Sequence, residues 1–122
     1  MPRRVLLIDD SALVLQYTRS VLEKAGYEVA TAMTVDAFEQ ERAARAPDLI
    51  VVDVQMPEVF GDDLASTLRG AYHVTSPIIL LSSLDEKELA ERCAEAAIEG
   101  FVSKRAGSAA LLAKVREVLG EP

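Results

Sequence analysis

The sequence predicts an α/β fold in which about five strand–helix repeats, (βα)5, build one doubly wound, five-stranded parallel sheet. Three observations lead there. Short apolar, β-branched runs of strand length alternate with longer stretches of helical periodicity. The runs are almost continuously apolar, as strands covered on both faces are. Carboxylates, hydroxyls and one lysine stand at or just past the ends of these runs.

VLLIDD places the first strand at residues 5–8. Val14, Leu15, Thr18, Val21, Leu22 and Ala25 then repeat at helical spacing, and Gly26 stands where a helix stop belongs. A second strand is expected at 28–31. The Ala-rich segment 35–44 reads as a helix with a thin apolar face of Ala37, Phe38 and Ala44, and Pro47 keeps it from running on. LIVVDVQMP gives the third strand at 49–52, and 62–69, between Gly61 and Gly70, reads as a short helix. The fourth strand falls at 78–81, followed by a helix with the stripe Leu89, Cys93, Ala96 and Ala97. The fifth strand is 100–102. Leu111, Leu112, Val115, Val118 and Leu119 form the last helix, with Ser108 expected as its N-cap and Gly120 after its end.

The totals fit one compact domain over 1–122, with no linker or low-complexity tract. Hydrophobic residues make up 50% and charged residues 27%, which excludes a disordered chain. Lys plus Arg is 13 against 20 Asp plus Glu, so the net charge of −7 argues against direct nucleic-acid binding. One cysteine, Cys93, rules out an internal disulfide and fits a reducing compartment. The apolar stretch of MPRRVLLIDD is too short for a signal peptide or a membrane span, so a cytoplasmic protein without membrane insertion is expected.

Ligands of open parallel sheets bind at the carboxyl ends of the strands. Asp9 and Asp10, Asp53, Ser82 and Ser83, and Lys104 all fall there. Clustered carboxylates repel, and a hard divalent cation such as Mg²⁺, bound through oxygen, removes the conflict. A carboxylate such as Asp53 can accept a phosphoryl group as an acyl phosphate. Lys104 would then give a positive charge to a phosphoryl oxygen, and Ser82 a hydroxyl donor.

LLIDDS, VVDVQMP with Gly61 four residues past Pro57, PIILLSS and GFVSK together resemble a response-regulator receiver domain (CheY-like) of bacterial two-component signalling, across essentially the whole chain. The resemblance implies the flavodoxin-like strand order 2-1-3-4-5. It implies Asp53 as phosphoacceptor, taking its phosphoryl group from a sensor histidine kinase or phosphotransfer protein. It implies Mg²⁺ held by Asp9, Asp10, Asp53 and the backbone carbonyl of Gln55, with Asp10 the more direct of the acidic pair. Ser82 becomes the switch hydroxyl, Lys104 the phosphate-binding lysine and Phe101 the switch aromatic. Output passes to a downstream protein through the surface of the fourth helix, fifth strand and fifth helix; a homodimer is compatible with it. The last helix ends within three residues of the C-terminus, which is compatible with output by protein binding and equally with an effector domain that follows in a longer protein.

Four positions depart from the family pattern. Arg105 follows Lys104, where a proline behind a cis bond is usual. A cis bond before a non-proline residue costs about 2.5–4 kcal/mol, which predicts a different loop. Ser83 replaces a small apolar residue, Phe101 lacks a phenolic hydroxyl, and Phe60 stands where an acid is common. Simpler roles compete at each site. Asp9 or Asp10 could cap the first helix, with Ser11 as competitor, and Ser82, Ser83 or Asp85 could cap the fourth. Lys104 could be a surface lysine and Phe101 a core residue. His73 reads as a loop residue and Cys93 as a structural one. DEKELAER reads as a solvated face. Two rival functions remain. One is a pseudo-receiver acting as a phosphorylation-independent interaction module. The other is an aspartyl-phosphate phosphatase, against which stand Gln55 in place of a second acid and the lack of a cap domain. Nucleotide binding is disfavoured because neither GxxxxGK[ST] nor GxGxxG occurs.

Overall fold

A computed structural model describes residues 3–53, 75–82 and 99–120, with Lys87 and Glu91 between them; for Val35, Asp53, Ser82 and Arg105 the description covers the backbone alone. The expected helix at 62–69 and, apart from Glu91, the one around Leu89–Ala97, and with them Gln55, Phe60, Gly61, His73, Ser83, Asp85 and Cys93, lie outside the described residues.

Five strands form one parallel sheet: β1 (Arg4–Ile8), β2 (Glu28–Ala32), β3 (Leu49–Asp53), β4 (Ile78–Ser82) and β5 (Gly100–Ser103), in the order β2-β1-β3-β4-β5. This is the expected order. Every residue of β1 is buried, as are Leu49–Val52 in β3 and Ile78–Leu81 in β4, whereas the edge strands β2 and β5 are partly exposed. That pattern explains the continuous apolar runs, because a central strand has no solvent face on which to carry polar residues.

Alternation along the strands sends Val5, Leu7, Leu49, Val51, Ile79, Leu81 and Val102 into one cluster. There they meet Leu15 and Leu22 of α1 (Ala12–Lys24) and Leu111 and Val115 of the C-terminal helix (Ser108–Leu119). Leu6, Ile8, Ile50, Val52, Ile78 and Leu80 alternate to the other face and are fully buried or nearly so. On that side α2 (Val35–Ala44) packs on β1 and β2, and its Phe38 is fully buried. α2 has the expected bounds, but of its thin apolar face Phe38 carries the burial; Ala44 is exposed.

The helix starts follow capping chemistry with one correction. The Ser11 hydroxyl accepts the Val14 N–H at 3.3 Å, and the Thr34 hydroxyl accepts that of Ala37 at 3.1 Å. Ser108, expected as an N-cap, is instead the first helical residue, and Gly107 is the cap. The reason lies upstream. A 3₁₀ turn, Lys104–Ala106, leaves β5, and the chain enters the helix through Gly107 at φ 88°, a left-handed conformation cheap only for glycine. α1 ends as expected, with Gly26 at φ 101°.

At the amino ends of the strands Arg4 is buried, and its guanidinium bonds the Glu41 carboxylate at 3.1 Å and the backbone carbonyls of Glu41 and Arg45. It thereby closes the C-terminal turn of α2 onto β1. The Tyr27 hydroxyl donates to the Gly120 carbonyl at 2.9 Å, tying the end of the C-terminal helix to the turn before β2. No helix among the described residues is long and apolar enough to cross a membrane.

Candidate functional site

The strand order reverses direction between β1 and β3, which makes the crevice past their carboxyl ends the natural ligand site of such a sheet. Ile8 pairs with Val52, so Asp9 and Asp53 stand one step further at the same level on neighbouring strands, a spacing of roughly 4.8 Å. Asp53 is the last residue of β3, level with Leu81. Ser82 ends β4 opposite Ser103, and Lys104 opens the turn after β5. Four strands thus deliver the predicted residues to one edge of the sheet, as the sequence implies. β3 and β4 each run one residue further than the apolar run alone predicts, which draws Asp53 and Ser82 into the ladder itself.

Asp9 is almost fully buried, with 3% of its surface exposed. Its backbone N–H continues the ladder by donating to the Ala32 carbonyl at 3.1 Å. One carboxylate oxygen, Oδ1, accepts the Ser11 N–H at 3.0 Å. The other, Oδ2, receives the Lys104 ammonium at 3.3 Å. The capping role weighed for Asp9 or Asp10 therefore falls to Ser11. Asp9 holds the turn before α1 with one oxygen and presents the other to the crevice. Asp10 follows it on the exposed side.

Lys104 travels far to reach this place. In the order β1-β3-β4-β5, three strand spacings of roughly 14 Å separate the first strand from the last. The 3₁₀ turn and the lysine stem carry the ammonium back over the ends of β4 and β3 to Asp9, 95 positions away in the chain. No cis peptide occurs among the described residues, so Lys104 meets Asp9 through a trans Lys104–Arg105 bond. A surface lysine would have had no cause to stay; this one has a buried anion as its partner, and its side chain is 29% exposed. Phe101 is half-buried on β5, level with Leu80.

Among the described residues no group of three His, Cys, Asp or Glu side chains is assembled. The donors present at the mouth, the carboxylates of Asp9 and Asp10, are oxygen only. A hard oxygen-seeking cation such as Mg²⁺ fits that set, whereas zinc, which favours nitrogen and sulfur, does not. Sequence reasoning missed Arg4, whose burial is legible only once Pro47 and α2 are folded against β1.

Residues 5–116 match the family model for the response regulator receiver domain. The chain is 32% identical over 112 residues to the transcriptional regulatory protein KdpE of Mycobacterium tuberculosis, covering 92% of this chain and 49% of that protein. The chain thus spans about half the length of that regulator. It is 28% identical over 123 residues to the polar-differentiation response regulator DivK of Brucella anthropi, covering 99% of each. The solved chemotaxis protein CheY4 of Vibrio cholerae superposes with a TM-score of 0.87 at 27% identity, covering 98% of this chain and 100% of that one.

Proposed function

The chain belongs to the response-regulator receiver family of two-component signalling, and from that premise we propose that it is a Mg²⁺-dependent phosphoacceptor switch with Asp53 as the acceptor. The observation that carries the reading is the Lys104–Asp9 pair, which closes over the ends of the two strands where Asp53 and Ser82 stand. An isolated acid at a strand end would need no such frame.

The chemistry is phosphoryl transfer. A carboxylate oxygen of Asp53 attacks phosphorus in line, a P–O bond forms, and the P–N bond to the kinase's phosphohistidine breaks with the imidazole leaving. Held by Asp9, Asp10, Asp53 and the Gln55 carbonyl, Mg²⁺ would offset the charge on the phosphoryl oxygens. Lys104 exchanges its contact with Asp9 for one with a phosphoryl oxygen, so the ammonium is positioned before the group arrives. The Ser82 hydroxyl donates to a second phosphoryl oxygen, and Phe101 follows as β5 and the adjoining helices repack. Output is read by a downstream protein at the surface that includes β5 and the C-terminal helix, and the donor is a sensor kinase or phosphotransfer protein.

The test is intact-protein mass spectrometry after incubation with acetyl phosphate. One phosphoryl group is gained with Mg²⁺, little without it, and none in Asp53→Asn. A protein that never gains mass would be an interaction module with this fold, and steady hydrolysis of an unrelated phosphate ester would make it a phosphatase.

A further inference from the structure

α1 and the C-terminal helix lie on one face of the sheet, and between their N-terminal turns they leave a groove of about 580 Å³. That volume falls in the range of small-molecule sites, about 300–1,000 Å³. Its walls are apolar: Leu13, Val14, Val21, Leu81 and Leu111. Leu13 and Tyr17, on its rim, are 75% and 60% exposed and carry no apolar cover.

Besides the hydroxyl residues Tyr17 and Ser108, three polar features among the described residues open on this trough, and all three offer positive charge or a donor. Lys104 lines one end. Beside it the C-terminal helix begins at Gly107 with no side-chain cap and no acid in its first turn, which leaves its first N–H groups without a side-chain acceptor. The third is Thr18, 5% exposed, whose hydroxyl has no hydrogen-bond partner among the described residues. A threonine within a helix ordinarily bonds the carbonyl one turn back. A buried hydroxyl left open onto a cavity marks a place for another molecule's oxygen. Among the described residues no carboxylate lines the groove, although the chain carries 20 acidic residues and a net charge of −7.

We propose that this groove binds a small amphipathic carboxylate, its apolar body along Leu13, Tyr17 and Val21 and its anionic head at the start of the C-terminal helix beside Lys104 and Thr18. An anion at an uncapped helix start accepts the orphan N–H groups and meets the positive end of the helix dipole. Because Lys104 also pairs with Asp9, an occupant draws on the same ammonium that frames the acid site. Occupancy therefore bears on the strand mouth without entering it.

The probe is decanoate, with decanol as its uncharged analogue and acetate as the head alone, followed by amide chemical shifts without Mg²⁺ or phosphodonor. Binding is thus read independently of phosphorylation, and failure of one reading leaves the other standing. Decanoate should give saturable shifts at Tyr17, Val21, Ser108 and Leu111, with weaker binding by decanol and none by acetate. Ser108→Asp, an acid that favours the helix start while repelling the ligand, should weaken decanoate roughly three- to tenfold and leave decanol unchanged. Thr18→Val, close in shape, should weaken decanoate more than decanol. Equal binding of decanoate and decanol would overturn the proposal. So would Ser108→Asp with unaltered decanoate affinity, or no saturable shift by about 1 mM. Shifts at the same residues on concentrating the protein alone would show that a second copy covers the groove, and would overturn it too.

Discussion

Replacing Lys104 by methionine should destabilise the folded protein, whereas replacing its partner Asp9 by asparagine should not. The pair is 3.3 Å long, between a side chain 5% exposed and one 29% exposed. At an effective dielectric of about 20, two unit charges at that distance attract by roughly 5 kcal/mol. Desolvation of the Asp9 carboxylate opposes most of this, and water screens the half-open lysine. A net cost of about 1–2 kcal/mol for Lys104→Met follows, because it takes the ammonium away from a buried anion beside Asp10. Asp9→Asn keeps an oxygen for the Ser11 N–H, removes one of two adjacent negative charges, and leaves a lysine whose side chain is already 29% exposed. Its cost should stay within about 0.5 kcal/mol in the absence of Mg²⁺. The assay is urea unfolding of both variants and the double variant, whose coupling should be about 1 kcal/mol. Adding Mg²⁺ at ten times its dissociation constant should stabilise the parent by about 1.4 kcal/mol and Asp9→Asn by much less. Parental stability in Lys104→Met, or a larger loss in Asp9→Asn than in Lys104→Met, would refute the reasoning.

Two further outcomes follow from the same geometry. Arg4→Met keeps the apolar stem but strands two backbone carbonyls at the end of α2, so it should cost about 2–3 kcal/mol in denaturant unfolding while leaving phosphoryl gain intact. Ser82→Ala should still gain the phosphoryl group, yet beryllofluoride with Mg²⁺ should no longer shift the amide resonances of β5 and the C-terminal helix; full parental shifts would remove Ser82 from the switch.

The fold was legible because its central strands have no choice. A run such as Leu49–Val52 can be buried on both faces only in a sheet with helices above and below, and the helical stripes between the runs supply those helices. Asp53 and Ser82 could be assigned to the strand mouths for the same reason, since the apolar run itself points to its end. What pattern reading misplaced was local. Ser108 looked like a cap because Gly107 beside it carries no side-chain signal, and only the left-handed turn after Lys104–Ala106 decides between them. The reach of Lys104 could not be read either. It depends on how a 3₁₀ turn aims a long side chain across three strands, a matter of tertiary geometry rather than of spacing. Arg4 was hidden for a related cause: its burial comes from α2, which packs on it from elsewhere in the chain.

The central claim is that the frame of Asp9, Asp10 and Lys104 serves one acceptor, Asp53. Borohydride reduces an acyl phosphate to the alcohol, so an aspartyl phosphate becomes homoserine in a peptide map. After acetyl phosphate and Mg²⁺, the account predicts homoserine at position 53 alone, lost when Mg²⁺ is withheld. Conversion at Asp9, Asp10 or another carboxylate with Asp53 untouched would contradict it.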